Sequence, residues 1–220
     1  MNENVKTALS GWGMEIGPET GAALDAFAGC LLEKNAVMNL VSRADEPQLW
    51  ERHILDALAG APLLRRLLKP GAAIADAGSG AGFPGLALSA ELREYSFDLL
   101  DSNGKRCAFL NWAAAAMKSR NVEVFHRRLG EGGPAAQRRY DAVIERAMGQ
   151  LENILPQCLN ILSDGGVFLA WQSAAQLAAA RPAVDAALKA CGGEIAETFG
   201  YRLPGESEDR SIVVFRRARR

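Results

Sequence analysis

The spacing of hydrophobic positions along the chain changes near residue 71. Before that point, apolar residues recur at the three- and four-residue intervals of amphipathic helices in TGAALDAFAGCLLEKNAV (20–37), EPQLWERHILDALAG (46–60) and APLLRRLL (61–68). Asp45 stands where it can cap the second of these helices, and Pro47 suits its first turn. We therefore predict a helical extension without strands over residues 1–70.

After residue 71, short apolar runs alternate with helical stretches. The runs AAIADA, SFDLLD, VEVFHR, YDAVIER and GGVFLAW predict strands, and the stretches PGLALSAEL, GKRCAFLNWAAAAMKS, LENILPQCLNIL and 174–191 predict helices. This alternation indicates a mostly parallel, doubly wound sheet. The final runs, GEIAETFGYRL and RSIVVFRR, follow one another without a helix and predict an antiparallel pair at one edge. Residues 71–220 are thus expected to form an α/β domain.

A glycine-rich loop follows the first predicted strand in IADAGSGAGFPGLAL (74–88). A loop with so few side chains lets backbone N–H groups approach a ligand closely. A phosphate-binding P-loop is excluded, because it requires a lysine after its last glycine. A dinucleotide loop stays open: Gly80, Gly82 and Gly85 match Gly-x-Gly-x-x-Gly, and Asp101 lies about 20 residues further on, where a ribose-binding acid belongs.

The acid at the end of this strand favours a different ligand. Asp76 precedes Gly78, Gly80 and Gly82, so an acid is followed by Gly-x-Gly-x-Gly. A carboxylate at the mouth of the loop repels a pyrophosphate and attracts a cationic ligand. S-adenosylmethionine carries an ammonium and a sulfonium group. The pattern therefore predicts S-adenosylmethionine as the cofactor, with Asp101 bonding its ribose hydroxyls.

Four segments in order carry a family resemblance: NLVSRADEPQLWERHILDALAGAPLL, ADAGSGAGFPGLAL, LLDSNGKRCAFL and YDAVIERAMGQL. Together they resemble the family of small-subunit rRNA guanine-N7 methyltransferases, over roughly residues 30–172. The resemblance implies a class I S-adenosylmethionine-dependent methyltransferase fold: a Rossmann-like, mostly parallel seven-stranded sheet with an antiparallel edge strand. It also implies S-adenosylmethionine as methyl donor and N7 of a guanosine in 16S rRNA as acceptor.

The resemblance also implies roles for individual residues. Cofactor contacts are expected at Gly78, Phe83, Ser102, Leu129, Gly130 and Arg146. The resemblance implies that Arg146 lies beside both the cofactor and the substrate. In two places the chain departs from the family pattern: Gly130 stands where an acid is usual, and Gln172 where a lysine is usual.

Three residues are candidates for positioning the substrate: Arg146, His53 and Asn39. His53 and Asp56 share a helix face, because they lie three positions apart; they either shape the mouth of the pocket or form a packing pair. Asn39 is a candidate cap of a turn at the same entrance. For Arg146, the alternative is a surface ion pair with Glu145 or Glu131.

N7 of guanine has an exposed lone pair, so no general base is needed and catalysis rests mainly on proximity and orientation. The sequence agrees with this chemistry. IERA stands where an enzyme that methylates an exocyclic amine would have Asn/Asp-Pro-Pro-Tyr/Phe, and there is no Pro-Cys pair for attack on a cytosine ring. We therefore assign no general base.

Basic residues are concentrated in two regions although the net charge is −1. Residues 101–146 hold nine Lys or Arg against five Asp or Glu, and residues 202–220 hold six against three. Such clusters suit contact with RNA phosphates. The predicted RNA-binding residues are Lys105, Arg106, Arg216, Arg217, Arg219 and Arg220.

The remaining features limit the partners. The four cysteines have no metal-site spacing, so no metal is expected. No apolar stretch of membrane-spanning length and no signal peptide is evident, so we expect a cytoplasmic protein that has no contact with membranes. Nothing requires more than a monomer. The alternatives are a methyltransferase acting on a small molecule or another non-rRNA substrate, a nicotinamide-dependent oxidoreductase and a non-catalytic S-adenosylmethionine sensor.

Overall fold

The computed structural model describes residues 2–131 and 139–218, which contain a seven-stranded sheet. The strands are β1 (Ala73–Ala77), β2 (Ser96–Asp101), β3 (Val122–His126), β4 (Tyr140–Arg146), β5 (Leu162–Ser173), β6 (Gly193–Tyr201) and β7 (Arg210–Arg217). Their order is β3-β2-β1-β4-β5-β7-β6. Strands β1 to β5 are parallel, and β7 runs antiparallel to both β5 and β6. The predicted α/β sheet with its antiparallel edge is confirmed.

Eight α-helices cover the sheet in the described residues. Before β1 they are α1 (Glu3–Gly11), α2 (Pro18–Met38), α3 (Leu55–Leu58) and α4 (Ala61–Leu67); between later strands they are α5 (Gly85–Glu91), α6 (Gly104–Ala116), α7 (Leu151–Asn160) and α8 (Ala174–Cys191). Helix α1 was not among the predicted helices. The side chain of Asn2 caps it by accepting a hydrogen bond from the Val5 N–H (3.1 Å).

The predicted helix over residues 46–60 is wrong in detail. The chain forms a 3₁₀ helix at Arg43–Gln48 and a π-helical turn at Trp50–Ile54, followed by the short α3. Ser42, not Asp45, caps the 3₁₀ helix, since its hydroxyl accepts from the Ala44 N–H (3.3 Å). Pro47 lies inside that helix and lacks the N–H that a regular α-helix would use.

Alternate residues of the strands point to two separate cores. On one face, Ile74 and Ile144 pack with the buried residues of α2, including Phe27. On the other face, Ala75 and Val143 pack with α7 and α8. Complete burial of one such large side chain stabilises the fold by about 2 kcal/mol. The helices before β1 share the first core with the sheet, and the predicted division at residue 70 stays a prediction.

The strand order places a crevice at the carboxyl ends of β1 and β4. From β1 the chain first builds outward through β2 and β3, and then returns to build through β4 and β5 on the other side. Ligands of doubly wound sheets bind at such a reversal of strand order. In the part of the chain that the structure describes, every helix is too short or too polar to span a bilayer.

Candidate cofactor and substrate site

The glycine loop after β1 adopts a conformation that side chains disfavour. Gly78, Gly80 and Gly82 have φ angles of +69°, +56° and +93°, which glycine tolerates without the usual steric cost. The end of β2 anchors the loop: Leu100 accepts a hydrogen bond from the Gly78 N–H (2.8 Å), and Asp101 Oδ2 accepts one from the Gly80 N–H (2.8 Å). The loop therefore presents main chain to the crevice.

Asp76 lies beneath the loop, which corrects its predicted place at the mouth. Its side chain is fully buried, and Oδ2 accepts a hydrogen bond from the Gly85 N–H (3.0 Å) at the start of α5. The close packing requires glycine, because a Cβ at Gly85 would lie 2.5 Å from Asp76 Oδ2. Oδ1 is buried and accepts no hydrogen bond from the part of the chain that the structure describes. Burial raises the pKa of Asp76 to about 7, against the lowering effect of its hydrogen bonds.

Asp101 braces the loop. In addition to the bond from Gly80, its Oδ1 accepts a hydrogen bond from the Asn103 N–H (2.8 Å), and the side chain is 4% exposed. Ser102 is exposed, and its carbonyl oxygen lies 3.1 Å from His126 Nε2. Both residues lie at the carboxyl end of β2, and their contacts with the cofactor stay predictions.

Arg146, at the end of β4, connects the glycine loop to the helical extension. Its guanidinium carbon lies 4.7 Å from the centroid of the Phe83 ring, which belongs to the loop. Arg146 Nη1 donates to Asp56 Oδ2 (2.7 Å), and Nη2 lies 3.3 Å from His53 Nδ1. The structure therefore pairs Arg146 with Asp56, and the alternative pairing with Glu145 or Glu131 is not found.

The contacts of His53 determine its tautomer. Because arginine only donates, Nδ1 of His53 must accept from Arg146, and the proton must lie on Nε2, 3.3 Å from Asp45 Oδ2. Burial and the charge of Arg146 lower the pKa of His53, so the ring is neutral near pH 7. The ring also stacks on Phe83, with centroids 5.4 Å apart.

A cavity of about 750 Å³ opens beside Arg146 at the carboxyl ends of β4 and β5. His53 and Arg146, two of the three residues predicted to position the substrate, both line the cavity, and their role stays a prediction. Its charged lining consists of Asp45, Arg52, Asp56, Arg146, Glu206, Glu208, Asp209 and Arg210. Asn39 does not line it: this exposed residue ends α2 in the left-handed conformation (φ +49°), and its N–H donates to the Asn35 carbonyl.

Two residues beside Asp56 were missed by the sequence analysis. The Tyr201 hydroxyl donates to Asp56 Oδ1 (2.5 Å), and Arg210 Nη1 donates to the same oxygen (3.2 Å). Tyr201 and Arg210 face each other in the register of β6 and β7. No local sequence signal marks either residue, because only the strand pairing brings them to the pocket.

The two departures from the family pattern have local structural reasons. Gly130 has a φ of +86°, a conformation that favours glycine over an acid. Gln172 Nε2 donates to Oε1 of the buried Glu145 (3.2 Å). Burial raises the pKa of Glu145 to about 7. Leu129, beside Gly130, is buried in the second core with only 7% exposed.

The four predicted RNA-binding residues that the structure describes lie in two separate places, on α6 and at the end of β7. Lys105 and Arg106 are exposed in the first turn of α6, and Arg106 Nη1 lies 3.9 Å from Asp101 Oδ2, which accepts from the loop residue Gly80. Arg216 pairs with Glu194 (2.6 Å), and Arg217 Nε donates to the Leu159 carbonyl (3.2 Å). Because β7 is antiparallel, these two residues lie about 20 Å from the pocket end of the strand. Arg219 and Arg220 lie outside the described residues.

The residues of the loop fit S-adenosylmethionine. The unpartnered Asp76 Oδ1 is an acceptor for a cationic group, and the glycine loop offers backbone donors. Loop residues, Phe83, Asp101 and Arg146 would hold the cofactor. Among residues 2–131 and 139–218, no cluster of three or more His, Cys, Asp or Glu is arranged to hold a metal ion.

The sheet and the glycine loop define the class of fold: it is that of the class I S-adenosylmethionine-dependent methyltransferases. Ribosomal protein L11 methylase from Lactobacillus delbrueckii subsp. bulgaricus has a similar fold, with a TM-score of 0.55 and 17% identity over 76% of this chain and 79% of that chain. TYW2 from M. jannaschii, solved in complex with AdoMet, has a TM-score of 0.55 and 13% identity over 74% of this chain and 76% of that chain.

Sequence comparison then gives the family. Residues 21–193 match the model of the family described as rRNA small subunit methyltransferase G, and the chain belongs to this family. Ribosomal RNA small subunit methyltransferase G of Exiguobacterium sibiricum is 31% identical over 210 residues, which are 94% of this chain and 87% of that protein. The protein of the same name from Alkaliphilus oremlandii is 31% identical over 219 residues, 99% of this chain and 90% of that protein.

Proposed function

We propose that this protein transfers a methyl group from S-adenosylmethionine to N7 of a guanosine in 16S rRNA of the small ribosomal subunit. The observation that carries the proposal is the position of Arg146. Its guanidinium lies on Phe83 of the cofactor loop and at the same time lines the cavity. A base in the cavity would thus lie beside the loop. Membership of the rRNA small subunit methyltransferase G family supports an rRNA substrate.

S-adenosylmethionine supplies an electrophilic methyl group when it is bound. The chain has to align the N7 lone pair with that group, and no proton has to be removed first. The pocket agrees with this requirement, because His53 already accepts from Arg146 through Nδ1 and is not available as a base there. Arg146 orients either the guanine, whose O6 and N7 accept hydrogen bonds, or the carboxylate of the cofactor.

The charges around the cavity suit a base and exclude the RNA backbone. Five carboxylates line it against three arginines. Guanine becomes cationic when N7 is methylated, and surrounding carboxylates stabilise developing positive charge. The same carboxylates repel phosphate groups. We infer that the target base enters the cavity alone, while RNA phosphates follow Lys105 and Arg106 on the outside of α6.

The test uses labelled S-adenosylmethionine with small subunits and with their protein-free rRNA, both taken from a strain without this enzyme. We expect label in 7-methylguanosine after digestion of the RNA to nucleosides. Arg181→Ala, at an exposed position of α8 that pairs with Asp185, should methylate like the wild type and serves as the control variant. Label in a different nucleoside would refute N7. Cofactor binding without transfer to either RNA would favour a small-molecule substrate or a sensor.

A further inference from the structure

Asp56 is a buried carboxylate on which three separate parts of the chain converge. It is only 1% exposed, and it accepts hydrogen bonds from Arg146, Tyr201 and Arg210. Its main-chain oxygen also accepts from the Trp171 indole N–H (2.9 Å). These contacts join α3 to the ends of β4, β5 and β6 and to the start of β7.

The network holds the Arg146 guanidinium in one orientation. Phe83 covers one face of the group, Asp56 accepts from Nη1, and His53 accepts from Nη2. Arginine side chains have many rotamers, and fixing one of them costs entropy. A buried carboxylate with a strong charge-assisted bond can offset this cost before substrate arrives. Asp56 itself is kept in place by Tyr201 and Arg210, which bond its other oxygen.

We propose that Asp56 is a positioning residue that pre-organises Arg146 between the cofactor loop and the cavity. Asp56 lines the pocket but acts through the arginine. The effect on turnover rests on the proposed function, whereas the effect on the conformation of Arg146 does not.

The conformation of Arg146 can be observed by NMR of protein with ¹⁵N-labelled arginine side chains. Loss of a signal in Arg146→Ala assigns the guanidinium. We expect slowly exchanging, separate Nη–H signals in the wild type and averaged signals in Asp56→Asn, because Asn removes the charge that restrains the group. Separate signals that persist unchanged in Asp56→Asn would overturn the proposal, whether or not the protein methylates rRNA.

Turnover gives the second readout. We expect Asp56→Asn to slow methyl transfer at least about tenfold. The loss should appear in the same constant (cofactor Kd, KM or kcat) that Arg146→Ala changes. The double variant should then lie within about twofold of Arg146→Ala alone. Independent, multiplying losses would show that Asp56 does not act through Arg146.

A matched control separates positioning from folding. Asp98 is also a buried aspartate (4% exposed) that accepts from a tyrosine hydroxyl, that of Tyr140 (2.8 Å), but it lies inside the sheet. Asp98→Asn should lower the Tm and leave the Arg146 signals and turnover unchanged. If Asp56→Asn does not fold, Asp56→Glu retains the charge and displaces it; unchanged Arg146 signals and turnover in that variant would contradict the proposal.

Discussion

At the scale of single residues, Asp76 and Arg146 have contrasting environments. Arg146 has a partner for each of its two terminal nitrogens, Nη1 and Nη2. Asp76 uses one oxygen and leaves the other buried without a partner. A buried polar atom without a partner is costly. A bound cationic ligand would remove this cost, so cofactor binding and the charge of Asp76 should be linked.

Cofactor affinity should therefore depend on pH through Asp76. With its pKa raised to about 7, the carboxyl is largely protonated in the free protein below that pH. A cation bound beside it favours the charged form, so binding releases a proton and affinity rises by up to about tenfold per pH unit below pH 7. Calorimetry in two buffers of different ionisation enthalpy measures this release. Asp76→Asn should flatten the dependence; a wild-type Kd that is constant from pH 6 to pH 8 would contradict the linkage.

Arg146→Ala should lower kcat/KM for the small subunit about 100-fold, because a misplaced reacting group typically costs this much. The variant should stay folded, as judged by circular dichroism. Arg181→Ala serves again as the exposed control. If the turnover of Arg146→Ala stays within threefold of the wild type, Arg146 has no important role in the mechanism.

At the scale of elements, the start of α5 packs closely against the end of β1. The main chain at Gly85 packs directly against Asp76, so that the first turn of α5 lies over the end of β1. The loop between them can be tight only because glycines occupy its left-handed positions.

Gly85→Ala should displace Asp76 and weaken cofactor binding at least about tenfold, because the new Cβ would lie 2.5 Å from the carboxylate. Gly29→Ala, inside α2, is the matched control: a Cβ there meets nothing within 4 Å, and alanine should raise the stability by up to about 1 kcal/mol. Titration of both variants with the cofactor decides the matter. Equal affinity in the two would show that the contact is not needed.

We predict that the first turn of α6 contacts the RNA. Positive charge is unfavourable against the dipole at a helix N-terminus, and both Lys105 and Arg106 stand there beside the loop. Replacing either by Ala should weaken binding of 16S rRNA and reduce the slope of log K against log salt by about 1. The same titration on Arg216→Ala, near the end of β7, tests whether the bound RNA also contacts that part of the surface. An unchanged slope in Lys105→Ala and Arg106→Ala would rule out the path along α6.

At the scale of the whole molecule, two buried carboxyls affect the pH dependence of stability. Asp76 and Glu145 stand on neighbouring strands, and burial raises the pKa of each to about 7. The folded state therefore binds more protons than the unfolded state between about pH 4 and pH 7. The contribution of these two carboxyls to stability is therefore largest below their ordinary pKa and is lost as the pH rises through their folded pKa. His53 acts in the opposite direction, because its lowered pKa costs stability as the pH falls below 6.5.

Glu145→Gln should become more stable relative to the wild type as the pH rises from 5.5 to 8.5. Glutamine keeps the shape of the protonated acid and has no charge to bury, and each unit of pKa shift corresponds to about 1.4 kcal/mol. Urea unfolding of both proteins across this range measures the difference. Glu131→Gln, at an exposed position, controls for net charge. A difference independent of pH would mean that Glu145 does not titrate in this range.

Much of the fold and part of the site follow from local sequence patterns. Alternation of strands and helices after residue 71 predicted the parallel sheet, and consecutive final strands predicted its antiparallel edge; both are confirmed. The glycine loop and its acid predicted the cofactor, which the family and the fold confirm. Local patterns succeed here because backbone periodicity and glycine conformations depend on neighbouring residues. The contacts of single side chains, the monomeric state and the cytoplasmic location stay predictions.

The sequence by itself determined the strands of the sheet, the helices between them and the cofactor that the loop accepts. Only the tertiary structure decided how Asp56, Arg146 and Arg210 meet, since the two arginines lie 90 and 154 positions away from Asp56 along the chain. Strand order brings β4 beside the helical extension. The antiparallel direction of β7 places Arg210 at the pocket and Arg216 at the other end of the strand. Those positions depend on packing between segments that are distant along the chain, and local periodicity carries no information about such packing.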